Sequence, residues 1–247
     1  MPEAEPLFSK AVVMSACTEH FFTEEESRRN TRLLLKLLKI KENHLDELYS
    51  VDDERLIKAI KKYETKILLH MDIRCAFSPV IDGKTLKGEP ELLCTKSSKP
   101  LLIGTVKDEA NSFTLKLPSL ALRFMSKGLK LDPENYEAED YRHRVSKSVT
   151  QIVYRKPADR ILASYKGKAW SYLYTYSTPD YRKNGLECCH ACDVAVLLGK
   201  DNPFQKVQDP ETVKVTEKLQ GILKEFAFNS KVSWEEHKKS RFIQLLP

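Results

Sequence analysis

No stretch of this sequence is apolar over the roughly 20 residues that a transmembrane helix needs, so no membrane span is predicted. The first residues, Met1–Glu5, are acidic and lack the apolar segment of a secretory signal peptide. As written, the sequence predicts a cytoplasmic protein, whereas a missing N-terminus would hide a signal peptide and allow a secreted location. The sequence also lacks a strong excess of one charge, since it has 41 basic and 35 acidic residues and a net charge of +6. No basic block carries interleaved aromatic residues, so nucleic-acid binding is not predicted.

Cysteine is too sparse for a disulfide scaffold, and the default expectation is free thiols in a reducing compartment. The six cysteines are Cys17, Cys75, Cys94, Cys188, Cys189 and Cys192. The last three form a C-x-x-C cluster beside His190, which leaves zinc binding and redox chemistry as alternatives. The sequence offers no obvious second pair of ligands and no thioredoxin-like context, so ordinary thiols, with no metal and no cofactor, are favoured.

What is present is a pattern of short apolar strands separated by long helical segments, which predicts an α/β fold. Strands are predicted at Ala11–Met14, at 100–104, where Gly104 would stop the strand, and at 169–176. The helices begin at recognisable signals, with Thr23 and Glu26 as a capping box and Asp209–Pro210 as cap and first turn; a further helix is predicted at 53–63. No Gly/Ser linker divides the chain, so residues 1–247 are predicted to form one domain, and an incomplete one.

Two residues could carry chemistry because each follows a predicted strand. Glu109 lies in the loop after the strand at 100–104, and His190 lies in the loop after the aromatic strand at 169–176. An acid and then a histidine, followed by a final helix, is the chain order of the last two members of a Ser-Asp/Glu-His triad. In such a triad the carboxylate fixes the imidazole tautomer while the other ring nitrogen takes the proton of the serine.

The same segments resemble the type-B carboxylesterases, which include the cholinesterases and the cholinesterase-like adhesion proteins. The resemblance runs over nearly the whole chain and is carried by these segments: 7–15, 79–83 (Pro-Val-Ile-Asp-Gly), 101–113, 170–179, the loop with His190, Asp193 and Gly199, Asn202–Pro203, the helix from Pro210, and Trp234. It implies a truncated α/β-hydrolase fold that corresponds to the C-terminal half of the family's domain. It also implies that Glu109 is the triad acid and His190 the triad base, in an enzyme that hydrolyses carboxylic esters without a cofactor.

The sequence departs from the family's pattern near both residues. The glycine that follows the acid is replaced by Ala110, and the glycine three residues before the histidine is replaced by Glu187. The aromatic residues that usually follow the histidine segment are replaced by Val196 and Leu198. Glycine often serves where the backbone must turn sharply, so Glu187 puts the aim of His190 in question.

The nucleophile is missing from this sequence. None of the eight glycines brackets a serine as G-x-S-x-G, none precedes Gly83, and there is no HGGG-type oxyanion segment. Ser15 follows a strand but lacks the glycines of a nucleophile elbow, so it is not favoured as a substitute. The sequence therefore predicts either a fragment or inactive copy of an ester hydrolase, or a non-catalytic interaction protein like the adhesion branch. Loss of neighbouring strands would also leave an apolar sheet edge at Ala11–Met14 and a bare leucine face at 34–38.

Overall fold

The computed structural model describes residues 1–69, 72, 74, 77–202, 206, 208–240 and 243–246, and Cys75 and Pro203 lie outside these ranges. The chain divides into two compact units. The helical unit comprises residues 19–90 together with Met1, and the sheet unit comprises residues 2–18 and 91–247. Within the described residues, no helix combines the length and the apolar composition needed to cross a bilayer.

The secondary structure combines short strands with helices of very different lengths. The strands are β1 (Ala11–Met14), β2 (Phe22–Thr23), β3 (Val80–Ile81), β4 (Leu101–Val106), β5 (Ala169–Tyr174) and β6 (Ile243–Leu246). The α-helices are α1 (Glu24–Leu38), α2 (Asp53–Leu69), α3 (Pro90–Cys94), α4 (Asn111–Thr114), α5 (Ser119–Gly128), α6 (Tyr141–Val149), α7 (Lys156–Ser164), α8 (Pro179–Lys183), α9 (Cys192–Leu198), α10 (Pro210–Asn229) and α11 (His237–Ser240). Short 3₁₀ turns occur at Pro2–Leu7, Leu45–Ser50 and Pro133–Asn135, and a π-helical turn spans Thr150–Arg155.

In the helical unit, α1 begins at the predicted capping box. Thr23 Oγ1 accepts from the Glu26 amide at 3.2 Å, and Glu26 Oε2 accepts from the Thr23 amide at 2.8 Å. The two contacts satisfy amides that the first turn of a helix leaves without partners. The expectation of a bare leucine face is wrong, because Leu38 is buried in a cluster with Ala59 of α2.

The Pro79–Gly83 segment forms β3 followed by the predicted turn. Asp82 Oδ1 accepts hydrogen bonds from the backbone amides of Lys84, Thr85 and Leu86, at 2.8 to 2.9 Å. Gly83 has φ = +70°, which an L-residue adopts only with strain. The aspartate and the glycine together therefore explain why the chain reverses at this point.

The sheet unit is built on a parallel sheet with the order β1-β4-β5-β6. Side chains of β4 and β5 alternate between two cores, as expected for a sheet covered on both faces. Leu102, Trp170 and Tyr172 pack in a cluster with residues of α9 and α10, whereas Leu101 and Ala169 pack with residues of α7. The predicted α/β class is therefore confirmed.

Three element boundaries differ from the prediction. β4 does not stop at Gly104 but continues to Val106. The glycine is there for close packing rather than as a strand end, because a Cβ at residue 104 would lie 2.4 Å from the Tyr172 ring. β5 ends at Tyr174 rather than at residue 176, and α2 runs on to Leu69 rather than ending at residue 63. The strand β6 was not predicted at all.

Candidate active site

The carboxylate of Glu109 lies buried just beyond the C-terminal end of β4. Its side chain has no exposed surface, and its Oε1 accepts a hydrogen bond from the backbone amide of Val106 at 2.9 Å. The loop turns back directly after the strand, and the Asn111 amide donates to the Asp108 carbonyl at 3.0 Å. A buried carboxylate requires such donors, because removal from water without hydrogen bonds is very unfavourable.

His190 is brought to this carboxylate by a loop that pairs with the Glu109 loop through the backbone. The Asp108 amide donates to the Cys188 carbonyl at 2.9 Å, and the His190 amide donates to the Glu109 carbonyl at 3.1 Å. Between the side chains, His190 Nδ1 lies 2.7 Å from Glu109 Oε2. The imidazole is 30% exposed, in contrast to the fully buried carboxylate.

This contact has the geometry that the sequence predicts. Glu109 and His190 follow neighbouring parallel strands, β4 and β5, and their side chains are within hydrogen-bond distance. A hydrogen bond from Nδ1–H to the carboxylate leaves Nε2 as the nitrogen that can accept a proton from another group. That the two residues act in catalysis stays a prediction.

The two family glycines are replaced at positions with different backbone demands. Ala110 has φ = −81°, which any residue adopts, so the loss of glycine there places no strain on the acid loop. Glu187 has φ = +51°, in the left-handed region that favours glycine, and Ala191 has φ = +65°. The His190 loop therefore keeps a left-handed backbone conformation at Glu187. The His190 side chain remains oriented toward Glu109 despite the loss of glycine.

Two aromatic side chains that the sequence did not single out flank the imidazole. The ring of Tyr154 lies 5.0 Å from the His190 ring between centroids, and the ring of Phe113 lies at 5.6 Å. Tyr154 belongs to the π-helical turn, and Thr150 at the start of that turn accepts a hydrogen bond from the Ala110 amide at 3.1 Å. No local sequence pattern marks a π-turn at this position, so only the structure could identify Tyr154.

Two more ionisable groups act electrostatically on the carboxylate of Glu109. Asp193, at the start of α9, is buried, and the pKa of its carboxyl is raised to about 6, first by burial and then by repulsion from Glu109. Its Oδ2 has no hydrogen-bond partner among the described residues. Burial also lowers the pKa of the Arg155 guanidinium, whose charge is attracted to Asp159 and Glu109.

The clustered cysteines, in the His190 loop and at the start of α9, are free thiols. Cys188, Cys189 and Cys192 are all buried, and burial raises the pKa of the Cys189 thiol to about 11. Cys188 Sγ lies 3.7 Å from Cys192 Sγ, too far for a disulfide. Over the described part of the chain, no group of three His, Cys, Asp or Glu side chains is arranged to hold a metal ion.

Ser15 lies at the end of β1 but is not engaged with the imidazole. Its amide donates to the Gly104 carbonyl at 2.9 Å, and its φ is +52°. Its hydroxyl is buried and has no hydrogen-bond partner among the described residues, so it does not form a serine–histidine pair with His190. A nucleophile needs a base within hydrogen-bond reach, and Ser15 does not meet this geometric condition.

Comparison with known proteins shows that the sequence is similar to carboxylesterases. The model of the carboxylesterase family matches residues 1–123. The para-nitrobenzyl esterase of Bacillus subtilis (strain 168) is 26% identical over 241 residues, which is 89% of this chain and 47% of that protein.

Solved structures of esterases superpose on the whole chain. A PNB esterase structure superposes with a TM-score of 0.72 at 24% identity and covers 100% of this chain and 55% of its own. A carboxylesterase of Geobacillus stearothermophilus gives a TM-score of 0.76 at 19% identity, covering 100% of this chain and 56% of its own.

The parallel sheet, the helices on both faces and these superpositions define the fold as that of an α/β hydrolase. The sequence matches agree with this fold, since residues 1–123 match the carboxylesterase family and the chain is homologous to the para-nitrobenzyl esterase over 89% of its length. The chain spans about half the length of the relatives it matches.

Proposed function

We propose that this chain carries the acid and the base of a carboxylic ester hydrolase, with Glu109 as the orienting acid and His190 as the general base. The 2.7 Å contact between His190 Nδ1 and Glu109 Oε2 is the observation that supports this proposal. We also propose that residues 1–247 are a portion of one carboxylesterase type-B domain, which the coverage of the whole chain by esterase structures supports.

In the proposed reaction, His190 Nε2 removes the proton of a serine hydroxyl as the serine attacks the ester carbonyl. The imidazolium that forms is stabilised by the buried carboxylate of Glu109, which also holds the proton on Nδ1. His190 then donates the proton to the departing alcohol, and the same residue activates water to release the acid. The partial exposure of the imidazole is consistent with access of a substrate to Nε2.

The serine itself must come from polypeptide outside this sequence, because no G-x-S-x-G pattern occurs in it. The proposed protein is therefore either part of a longer ester hydrolase or an inactive copy. The alternative function is a non-catalytic interaction protein related to the adhesion branch of the family, and the same missing serine favours it. Transcript sequence on the 5′ side of the codon for Met1 distinguishes them, since the enzyme requires a glycine-flanked serine encoded there.

A reconstitution experiment tests the proposed roles directly. The chain alone should neither hydrolyse p-nitrophenyl acetate above a denatured control nor react with a fluorophosphonate probe. Fused behind the N-terminal half of the Bacillus subtilis para-nitrobenzyl esterase, it should gain both activities. His190→Gln should then lower kcat by about 10⁴-fold or more, as removal of triad members does in serine hydrolases.

Two controls make the outcome decisive. Circular dichroism establishes that the His190→Gln fusion is folded, and Cys94→Ser, at the end of α3 and outside both loops, should leave the rate unchanged. A folded fusion with full activity after loss of His190 would contradict the proposed role of that residue. Stoichiometric labelling of any serine in the chain alone would contradict the statement that the nucleophile lies elsewhere.

A further inference from the structure

We propose that Tyr154 is a positioning residue that holds the His190 imidazole in line with Glu109, an inference that rests on the proposed function of this pair. Tyr154 is buried, and its ring centroid lies 5.0 Å from that of His190 with the planes inclined at 42°. Separations of 4.5 to 7 Å with tilted planes are the favoured geometry of paired aromatic rings. The contact therefore favours one orientation of the imidazole.

The imidazole needs such a contact because its hydrogen bond to Glu109 fixes only one edge of the ring. Rotation about the bond from Cβ to the ring is broad and roughly two-fold for histidine. A rotation of the imidazole out of its present plane would move Nδ1 out of line with Glu109 Oε2, and it would also change the favourable inclination between the imidazole and the Tyr154 ring. Tyr154 is buried and 5.0 Å from the imidazole between centroids, whereas Phe113 is half exposed and lies at 5.6 Å.

The π-helical turn gives Tyr154 a second link to the same site. Thr150, the first residue of the turn, accepts a hydrogen bond from the amide of Ala110, the residue next to Glu109. One turn therefore contacts the backbone of the acid loop at one end and the ring of the base near the other. A π-turn inserts an extra residue into a helix and redirects the side chains that follow, and such turns occur frequently at functional sites.

The experiment measures the hydrogen bond between His190 and Glu109 by NMR on the folded fusion with the N-terminal half of the Bacillus subtilis esterase, in which each of the following variants is made. The proton on Nδ1, shared with a carboxylate, should give a resolved downfield resonance that disappears in His190→Gln, which assigns it. Tyr154→Phe keeps the ring and should preserve the resonance. Tyr154→Leu keeps an apolar side chain but removes the ring, and should broaden the resonance or shift it upfield.

A matched control separates positioning from general loss of stability. Tyr165 is buried as deeply as Tyr154 in the same unit, but its hydroxyl donates to the Lys99 carbonyl at 2.8 Å and it packs in the core beneath α7. Tyr165→Leu should weaken the fold and leave the Nδ1 proton resonance in place. A resonance unchanged in Tyr154→Leu, or lost equally in both leucine variants, would overturn the proposal.

The active fusion described above provides a second readout. Tyr154→Leu should lower kcat by about two- to twelve-fold, the range that aromatic pair energies correspond to, while KM changes little. Tyr154→Phe should restore the rate. The NMR measurement needs no catalysis, so an inactive fusion with the expected resonances would refute the proposed function while leaving the positioning role intact.

Discussion

At the scale of single residues, the site is organised around a carboxylate that is completely removed from solvent. Glu109 offers two oxygens, and each has a donor: the Val106 amide for Oε1 and His190 Nδ1 for Oε2. Asp193 is equally deep but lacks a partner for Oδ2 within the described structure. Two buried acids thus differ in how well their charge is compensated, and this difference has a measurable consequence.

Asp193→Asn is expected to raise the free energy of unfolding at pH 7. The folded-state pKa of about 6 exceeds the ordinary value near 4, so between pH 4 and pH 6 the folded state binds more protons than the unfolded chain. The contribution of Asp193 therefore becomes less favourable as the pH rises through this window. Above pH 6 the charged Asp193 should lower the free energy of unfolding by about 3 kcal/mol, which is the energy equivalent of the difference between the two pKa values. Urea unfolding between pH 4 and pH 7 should show that the free energy of unfolding falls with rising pH in the native chain, and that this fall is absent in Asp193→Asn.

Asp209→Asn serves as the control for this pH dependence. The pKa of Asp209 is lowered by hydrogen bonds from the amide and hydroxyl of Thr212, so its charged form is favoured in the folded state. Its neutralisation should bring no gain in stability at pH 7. If Asp193→Asn and Asp209→Asn respond alike, burial of Asp193 is not the cause of the pH dependence.

At the scale of the elements, the central feature is the close contact of β4 and β5. Gly104 is paired with Tyr172, and the Tyr172 ring occupies the space in which a side chain of residue 104 would lie. Tyr172 is itself buried in the core with Trp170 and Tyr174. Since a packed core cannot shift its rings freely, this pair fixes the separation of the strands that carry Glu109 and His190 at their ends.

Gly104→Ala is expected to destabilise the sheet unit by about 2 kcal/mol, within the 1 to 3 kcal/mol typical of overpacked cores. Its new Cβ would lie 2.4 Å from the Tyr172 ring, so the ring or the strand must move. Thermal and urea unfolding provide the measurement. In Gly221→Ala, in the middle of α10, the Cβ would meet open space, and a gain of about 0.5 to 1 kcal/mol is expected. A loss in both variants would argue against the strand contact as the cause.

Local sequence signals correctly predicted the helices whose first turns are marked by capping residues. The capping box at Thr23 and Glu26 and the Asp209–Pro210 start of α10 appear as predicted, because caps depend on residues within one turn. The strand β6 was missed, since a segment of four residues is too short for its periodicity to distinguish a strand from a helix. The end of β4 was misplaced because the role of Gly104 depends on a tyrosine 68 residues later in the sequence.

At the scale of the whole molecule, the order of the strands leaves β1 at an edge of the described sheet. Val12 in the middle of this strand is 39% exposed. Unpaired apolar edges are templates for pairing with other chains. We therefore expect the isolated chain to be poorly soluble, or to bind the dye ANS at this apolar edge.

Val12→Lys should reduce this self-association, because a lysine on an edge strand discourages pairing between sheets. Sedimentation velocity at micromolar concentration and ANS fluorescence measure the effect. Val194→Lys is the matched control, since Val194 is also 39% exposed but lies on α9 rather than on a strand. A monomeric native chain with a sharp thermal transition and no dye binding would show that the β1 edge does not drive association.

The sequence by itself determined the α/β class, the family resemblance, and Glu109 and His190 as the acid and base candidates. These follow from short-range patterns, namely strand ends, caps and the order of two loops along the chain. Only the tertiary structure decided that the two side chains meet at 2.7 Å, that Tyr154 packs on the imidazole and that Asp193 is buried. Burial and ring contacts arise between residues far apart in sequence, and their strength depends on distances that no local pattern encodes.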